Sequence, residues 1–260
     1  SENDEYNKSE RETSTARVPE CNPAPEPIKR KLKLRSTFYV FIFYPKSLIS
    51  AWEEFDKQFQ SENDHPRIFN SYQHYLLLAF EDGGTDLEKY VSNISQAYSI
   101  IYQVITALSV AEHRLSFEHR DLHCGNIMIK NVEAYYADCK INLLTHGVEL
   151  KIIDFTLSRM SKGTSTIFFD LAKDNEIFSG ENCLQFDIYR AMRKANMNNW
   201  FPFYPVTNVM WIIYLVRYVY DSLVNKNIGS HRERQIFIHH FRDLHRFGNS
   251  HSFISLHSRI

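Results

Sequence analysis

Glycine is scarce in this chain: there are eight in 260 residues, and the first is Gly83. A glycine-rich turn whose backbone amides wrap a phosphate is therefore excluded from everything before that position. Cysteine is thin as well. Cys21, Cys124, Cys139 and Cys183 lie far apart with no CxxC pair, which suggests neither a zinc ribbon nor a disulfide framework and makes a reducing compartment the default. Neither sign of charge dominates. The 30 Lys and Arg against 31 Asp and Glu give a net charge of -1, so no global attraction to nucleic acid or membrane is expected. No continuous apolar run approaches the roughly 18 residues of a membrane span; the longest, Val209 to Val216, stops at Arg217. The first 37 residues hold no apolar stretch of the kind a signal peptide needs, and the chain opens on Ser1 rather than Met.

What is present divides along the chain. Residues 1–36 are polar, charged and dotted with Pro19, Pro23, Pro25 and Pro27. Such a composition buries too little apolar surface to offset its ordering entropy, so a disordered leader is expected there. It ends in "KRKLKLR" (29–35), which reads as a solvated edge leading into a strand or, more sharply, as a nuclear-import signal. Next, "STFYVFIFY" (36–44) is aromatic and β-branched without a helical period and predicts a buried strand. "PKSLISAWEEFDKQF" predicts a helix with Leu48, Trp52, Phe55 and Phe59 on one face. "HYLLLAFEDGG" reads as a strand closed by a glycine pair, and Ser95 to Leu115 as a long apolar helix. Ile127–Ile129 and "VELKIIDF" predict two further strands around a polar insertion, and the remainder is mostly helical. Strands early and helices late, without βαβ alternation, predict an α+β fold.

The chemistry concentrates in "FEHRDLHCGN" (117–126) and "IIDF" (152–155). Phosphoryl transfer asks a protein mainly to hold metal ions against the nucleotide phosphates and to present a carboxylate to the attacking hydroxyl. Asp121 is the candidate base. Asn126, five residues later, and Asp154, at the end of an apolar strand, are the candidate magnesium ligands, since magnesium takes oxygen donors and keeps several waters. Met128 is placed to pack beneath a base, and His119 and Phe155 to stack between the two loops. The spacing HxDxxxxN followed by IIDF is specific for kinase-like phosphotransferases, yet "DLHCGN" with "IIDF" also resembles the motif of choline and aminoglycoside kinases.

Four separated motifs, "FEHRDLHCGNIMIK", "IIDFTLSRM", "FEDGGTDLE" and "QFDIYRAM…NNW…YPVTNVMWIIYL", together resemble the haspin family of atypical serine/threonine protein kinases. Thr156, where most protein kinases have glycine, belongs to that resemblance, and so does the lack of an APE motif. It runs from about residue 35 to the C terminus. By implication the fold is protein kinase-like, mainly the helical C-lobe (83–260) with a reduced N-lobe and hinge (37–82), using ATP and Mg2+. Phe80 would be the gatekeeper, Glu81, Asp82 and Gly83 the adenine-binding hinge, and Asp86 would face the ribose. Glu88, Asp174 and Glu176 would hold the basic amino-terminal tail of a histone through charge-assisted hydrogen bonds, next to the target threonine. Asp187 would be the buried anchor of the catalytic-loop backbone. The resemblance implies a nuclear, chromosomal location, with no direct nucleic-acid contact and no membrane.

A complete protein kinase also carries a glycine-rich loop and a strand lysine paired with a helix glutamate. Neither is recognisable before Gly83. Losing one preorganised electrostatic contact typically costs about 10²–10³ in rate, so this polypeptide is expected to have little or no kinase activity of its own. Two other readings stand beside a working enzyme: a pseudokinase that holds basic peptides without phosphorylating them, and a small-molecule kinase. Thr164, Ser165 and Thr166 are expected in a plain loop, Cys124 as a small filler. His231, His239, His240, His245, His251 and His257 are expected on a surface helix rather than around a metal.

Overall fold

The structure is a computed structural model that describes residues 34–41, 45–61, 63–70, 73–90, 92–133 and 145–257. The leader to residue 33, Cys21, Cys139 and most of the polar insertion lie outside the described residues. Two compact units divide between Asp82 and Gly83.

In the first unit, strand β1 (Leu34–Phe41) pairs antiparallel with β2 (His74–Phe80), with Phe38 opposite Leu77. The strand thus begins two residues before the expected start at residue 36. Helix α1 (Lys46–Phe59) starts after Pro45, as proline's fixed φ favours, and ends at Gln60 in the left-handed region. Glu53 ties the following loop to it, meeting His65 at 3.2 Å and Arg67 at 2.9 Å. The helical period was legible; the burial expected of 36–44 falls on side chains outside the described residues. Leu48, Phe55 and Phe59 are exposed, and so are Leu76, Leu77 and Leu78 of β2.

The second unit is built around helix α2 (Ile94–Leu115). A reciprocal capping box between Asn93 and Gln96 starts it, and Ser116 in the left-handed region ends it. By length and apolar character α2 would suffice to cross a membrane, but here it is the core helix, two-thirds buried, packed on α4 (Val206–Asn225), α6 (Ser250–His257) and strand β5 (Val148–Ile152). Ile100, Ile101, Val104, Ile105 and Leu108 meet Trp211, Leu215 and Phe253 in that core. A three-stranded sheet, β3 (Thr85–Asp86), β4 (Ile127–Asn131) and β5 (Val148–Ile152), carries the loops of interest. Gly84, at φ +94°, makes this sheet possible: a Cβ there would lie 2.1 Å from the Ile129 carbonyl oxygen. The segment expected as a plain loop is instead a hairpin, β6 (Met160–Lys162) with β7 (Ser165–Ile167), in which Ser161 and Thr166 hydroxyls meet at 2.9 Å. Helices α3 (Leu184–Ala195) and α5 (His231–His240) complete the unit. This is a mixed, mostly helical fold with small sheets, of the α+β kind expected.

Candidate active site

Asp121 follows a fully buried run, Glu118, His119 and Arg120, and that burial explains its position. Arg120 adopts a left-handed φ of 69°, which costs a non-glycine residue energy unless its surroundings hold it. They do. Its guanidinium lies within 3.1 Å of the Glu118 carboxylate, donates to the Trp200 carbonyl at 2.7 Å, and lies over the Trp200 ring. Glu118 in turn accepts from the Tyr204 amide and the Thr207 hydroxyl. Its backbone exchanges two 2.9 Å hydrogen bonds with Arg159, joining the loop to the chain beyond Asp154.

His119 serves as scaffold. Nε2 donates to the Ile153 carbonyl at 3.1 Å and Nδ1 accepts from the Asp121 amide at 3.3 Å, an arrangement that needs the neutral ring. Burial favours the same form, pulling its pKa down to about 4. The expected meeting with Phe155 is present, with centroids 5.5 Å apart.

Asn126 lies in the short turn Cys124–Asn126 directly before β4. Its amide nitrogen donates to the Asp121 carbonyl at 2.8 Å and lies 3.2 Å from His123 Nε2, while its backbone carbonyl accepts from the Ile153 amide. The amide oxygen is left to serve as a ligand. Asp154, at a left-handed φ of 58°, receives two bonds on one carboxylate oxygen, from the Thr156 amide at 3.1 Å and hydroxyl at 2.6 Å. Thr156 accordingly holds the Asp154 carboxyl below the usual carboxylate range, and the second oxygen stays open. Two hard oxygens on adjoining loops suit magnesium, which needs few protein ligands. Among the described residues no group of three or more His, Cys, Asp or Glu could hold a metal ion, which includes the described histidines of the C-terminal segment.

Asp121 itself is set by Tyr189 of α3, whose hydroxyl donates a short hydrogen bond to Oδ1 and receives one from Gln185 at 3.0 Å. Desolvation pushes the Asp121 pKa up, Tyr189 and His123 pull against it, and the negative charge of Asp154 adds to the rise.

The backbone anchor is not where the sequence suggested. Asp187 is a surface residue whose side chain is 63% exposed, and it pairs with Arg190 at 2.6 Å. Anchoring falls to Asn208, fully buried in α4. Its oxygen accepts from the His119 amide at 3.0 Å, and its nitrogen donates to the Phe117 carbonyl at 2.9 Å. The one available signal was a polar Thr207–Asn208 pair directly ahead of the apolar run Val209–Val216.

The remaining candidates spread out. Asp86 and Met128 face each other directly in the β3–β4 register. Gly83 is buried just before them, but the Asp86 carboxylate is taken by Lys89, at 2.8 Å from the ammonium and 2.9 Å from the amide. Phe80, Glu81 and Asp82 end the first unit. Glu88 is exposed after β3, whereas Asp174 spends one oxygen on the Glu176 and Ile177 amides and Glu176 is exposed. Cys124 is buried, with its sulfur 3.7 Å from the Tyr214 hydroxyl.

A buried HRD loop locked to an Asp–Phe turn, on a helical unit with a small sheet, defines a protein kinase-like catalytic lobe. Residues 30–252 match the family model described as the Haspin like kinase domain, and the chain belongs to that family. It is 39% identical over 201 residues to the serine/threonine-protein kinase haspin of Mus musculus, covering 74% of this chain and 26% of that protein. Identity to the haspin homolog of Drosophila melanogaster is 38% over 207 residues, 77% of this chain and 36% of the relative. The Arabidopsis thaliana homolog is 41% identical over 203 residues, 74% of this chain and 33% of the relative. The chain therefore spans between a quarter and two-fifths of the length of these relatives.

Proposed function

We propose that this chain carries the catalytic lobe of a haspin-type kinase, which moves the γ-phosphate of ATP to a threonine near the amino terminus of a histone tail. The observation that carries the reading is the joining of Asp121, Asn126 and the chain entering Asp154 by two hydrogen bonds, Asn126 to the Asp121 carbonyl and the Ile153 amide to Asn126.

With Oδ1 committed to Tyr189, Asp121 presents Oδ2 to the threonine hydroxyl, orients it and takes up its proton. Desolvation makes this carboxylate a stronger base than a solvated one. The amide oxygen of Asn126 and the open oxygen of Asp154 are the ligands for magnesium, which when bound neutralises charge developing on the phosphate oxygens. Met128, opposite Asp86, supports the nucleotide from below. Glu88, Asp174 and Glu176 supply negative charge for a basic peptide, and the protein acts on chromatin in the nucleus through that histone contact.

The test combines the chain with MgATP and a histone amino-terminal peptide. Threonine phosphorylation that disappears with Asp121→Asn supports the enzyme. Peptide binding without transfer points to a pseudokinase, and phosphorylation of choline or an aminoglycoside instead overturns the assignment.

A further inference from the structure

The hydrogen bonds that hold the catalytic loop do not end at Asn208. The same amide nitrogen that donates to Phe117 also donates to Glu112 Oε1 at 2.9 Å, from the last turns of α2. Glu112 is filled from its other side by Ser250, the first residue of α6. The Ser250 hydroxyl donates to Oε1 at 2.7 Å and its amide to Oε2 at 3.0 Å. All three residues are buried, so water cannot replace a lost partner without cost. Helix α6 is fixed to α2 a second time by His251, whose ring lies 3.2 Å from the Ser109 hydroxyl.

We propose that Ser250 and Glu112 are positioning residues for the catalytic loop: the docked start of α6 orients Glu112, Glu112 orients Asn208, and Asn208 fixes the backbone just ahead of Asp121. Loosening α6 then reaches the active site through three side chains, although α6 contributes no atom to it. The effect on turnover rests on the kinase reading above; the effect on the loop does not.

The experiment is amide hydrogen exchange on the protein with Ser250→Ala, Ser250→Thr and Glu112→Gln. One lost hydrogen bond of ordinary strength corresponds to about five-fold faster local opening. Residues 117–121 are expected to exchange about five-fold faster in Ser250→Ala, similarly in Glu112→Gln, and at the parent rate in Ser250→Thr. With active protein, turnover falls in the same order while the KM for nucleotide stays constant. Faster exchange confined to α6, with 117–121 unchanged in both weakened variants, overturns the proposal. An exchange response in a protein that phosphorylates nothing would sink the kinase reading and leave the coupling standing.

Discussion

The two units are built from equally apolar sequence and end up differently. Among the described residues from 83 on, one contiguous core buries Ile100, Ile101, Val104, Leu108, Trp200, Trp211 and Leu215, with buried polar groups such as Glu112, Glu118 and Asn208 hydrogen-bonded among them. Of the described side chains between residues 45 and 82, only Pro66 is buried. Apolar periodicity therefore specifies a face, not what covers it. The catalytic loop draws its rigidity from long-range hydrogen bonds inside the helical unit, whereas the first unit shows a two-stranded sheet, which is marginal by itself.

The sharpest way to break that comparison is at the loop. On the kinase reading proposed above, Asp121→Asn is expected to lower whatever phosphate transfer the chain shows by about 10²–10⁴-fold, the usual contribution of a general base, without lowering the melting temperature, because it removes a charge that burial disfavours. Core truncation comes next. Leu108→Ala in α2 should cost about 2–5 kcal/mol in urea unfolding, while Leu77→Ala, at a side chain 52% exposed, should cost under about 0.5 kcal/mol. Equal losses would show that the first unit buries its strand as deeply as the second buries α2.

Glu112 gives a pH signature. Burial raises its pKa from the ordinary 4.5 to about 7. The stability gained by keeping it protonated is thus complete below pH 4.5 and is lost as pH rises through about 7. This term amounts to about 3 kcal/mol at most, at about 1.4 kcal/mol per pKa unit. Glu112→Gln should flatten the decline seen in denaturation midpoints across that window. The smallest effect separates two anchors. Asp187→Ala breaks only an exposed ion pair and should change stability by under about 0.5 kcal/mol, against about 1–3 kcal/mol for Asn208→Ala, which strands buried backbone groups.

Legibility followed distance along the chain. Asp121 and Asn126 are five residues apart and Asp154 follows closely on β5, so spacing alone exposed them. Tyr189 reaches Asp121 across 68 positions, Asn208 reaches His119 across 89 and Glu112 across 96, and no local pattern encodes such meetings. Asp187 misled for a related reason. A carboxylate at the start of α3 carries the same letter whether it points inward or bonds Arg190 three residues on. In the hairpin at 160–167, pairing across a two-residue turn overrode a sequence with little strand character. The α+β architecture itself was readable because α2 and α4 are long and periodic.

The close approach at Gly84 bears on inheritance. Every single-base change in a glycine codon that alters the amino acid introduces a β-carbon or stops the chain. None can be seated 2.1 Å from the Ile129 oxygen without moving the strand that leads out of Asn126. Any missense allele at this codon therefore has to displace that strand, whichever residue it encodes, a rule set by one interatomic gap.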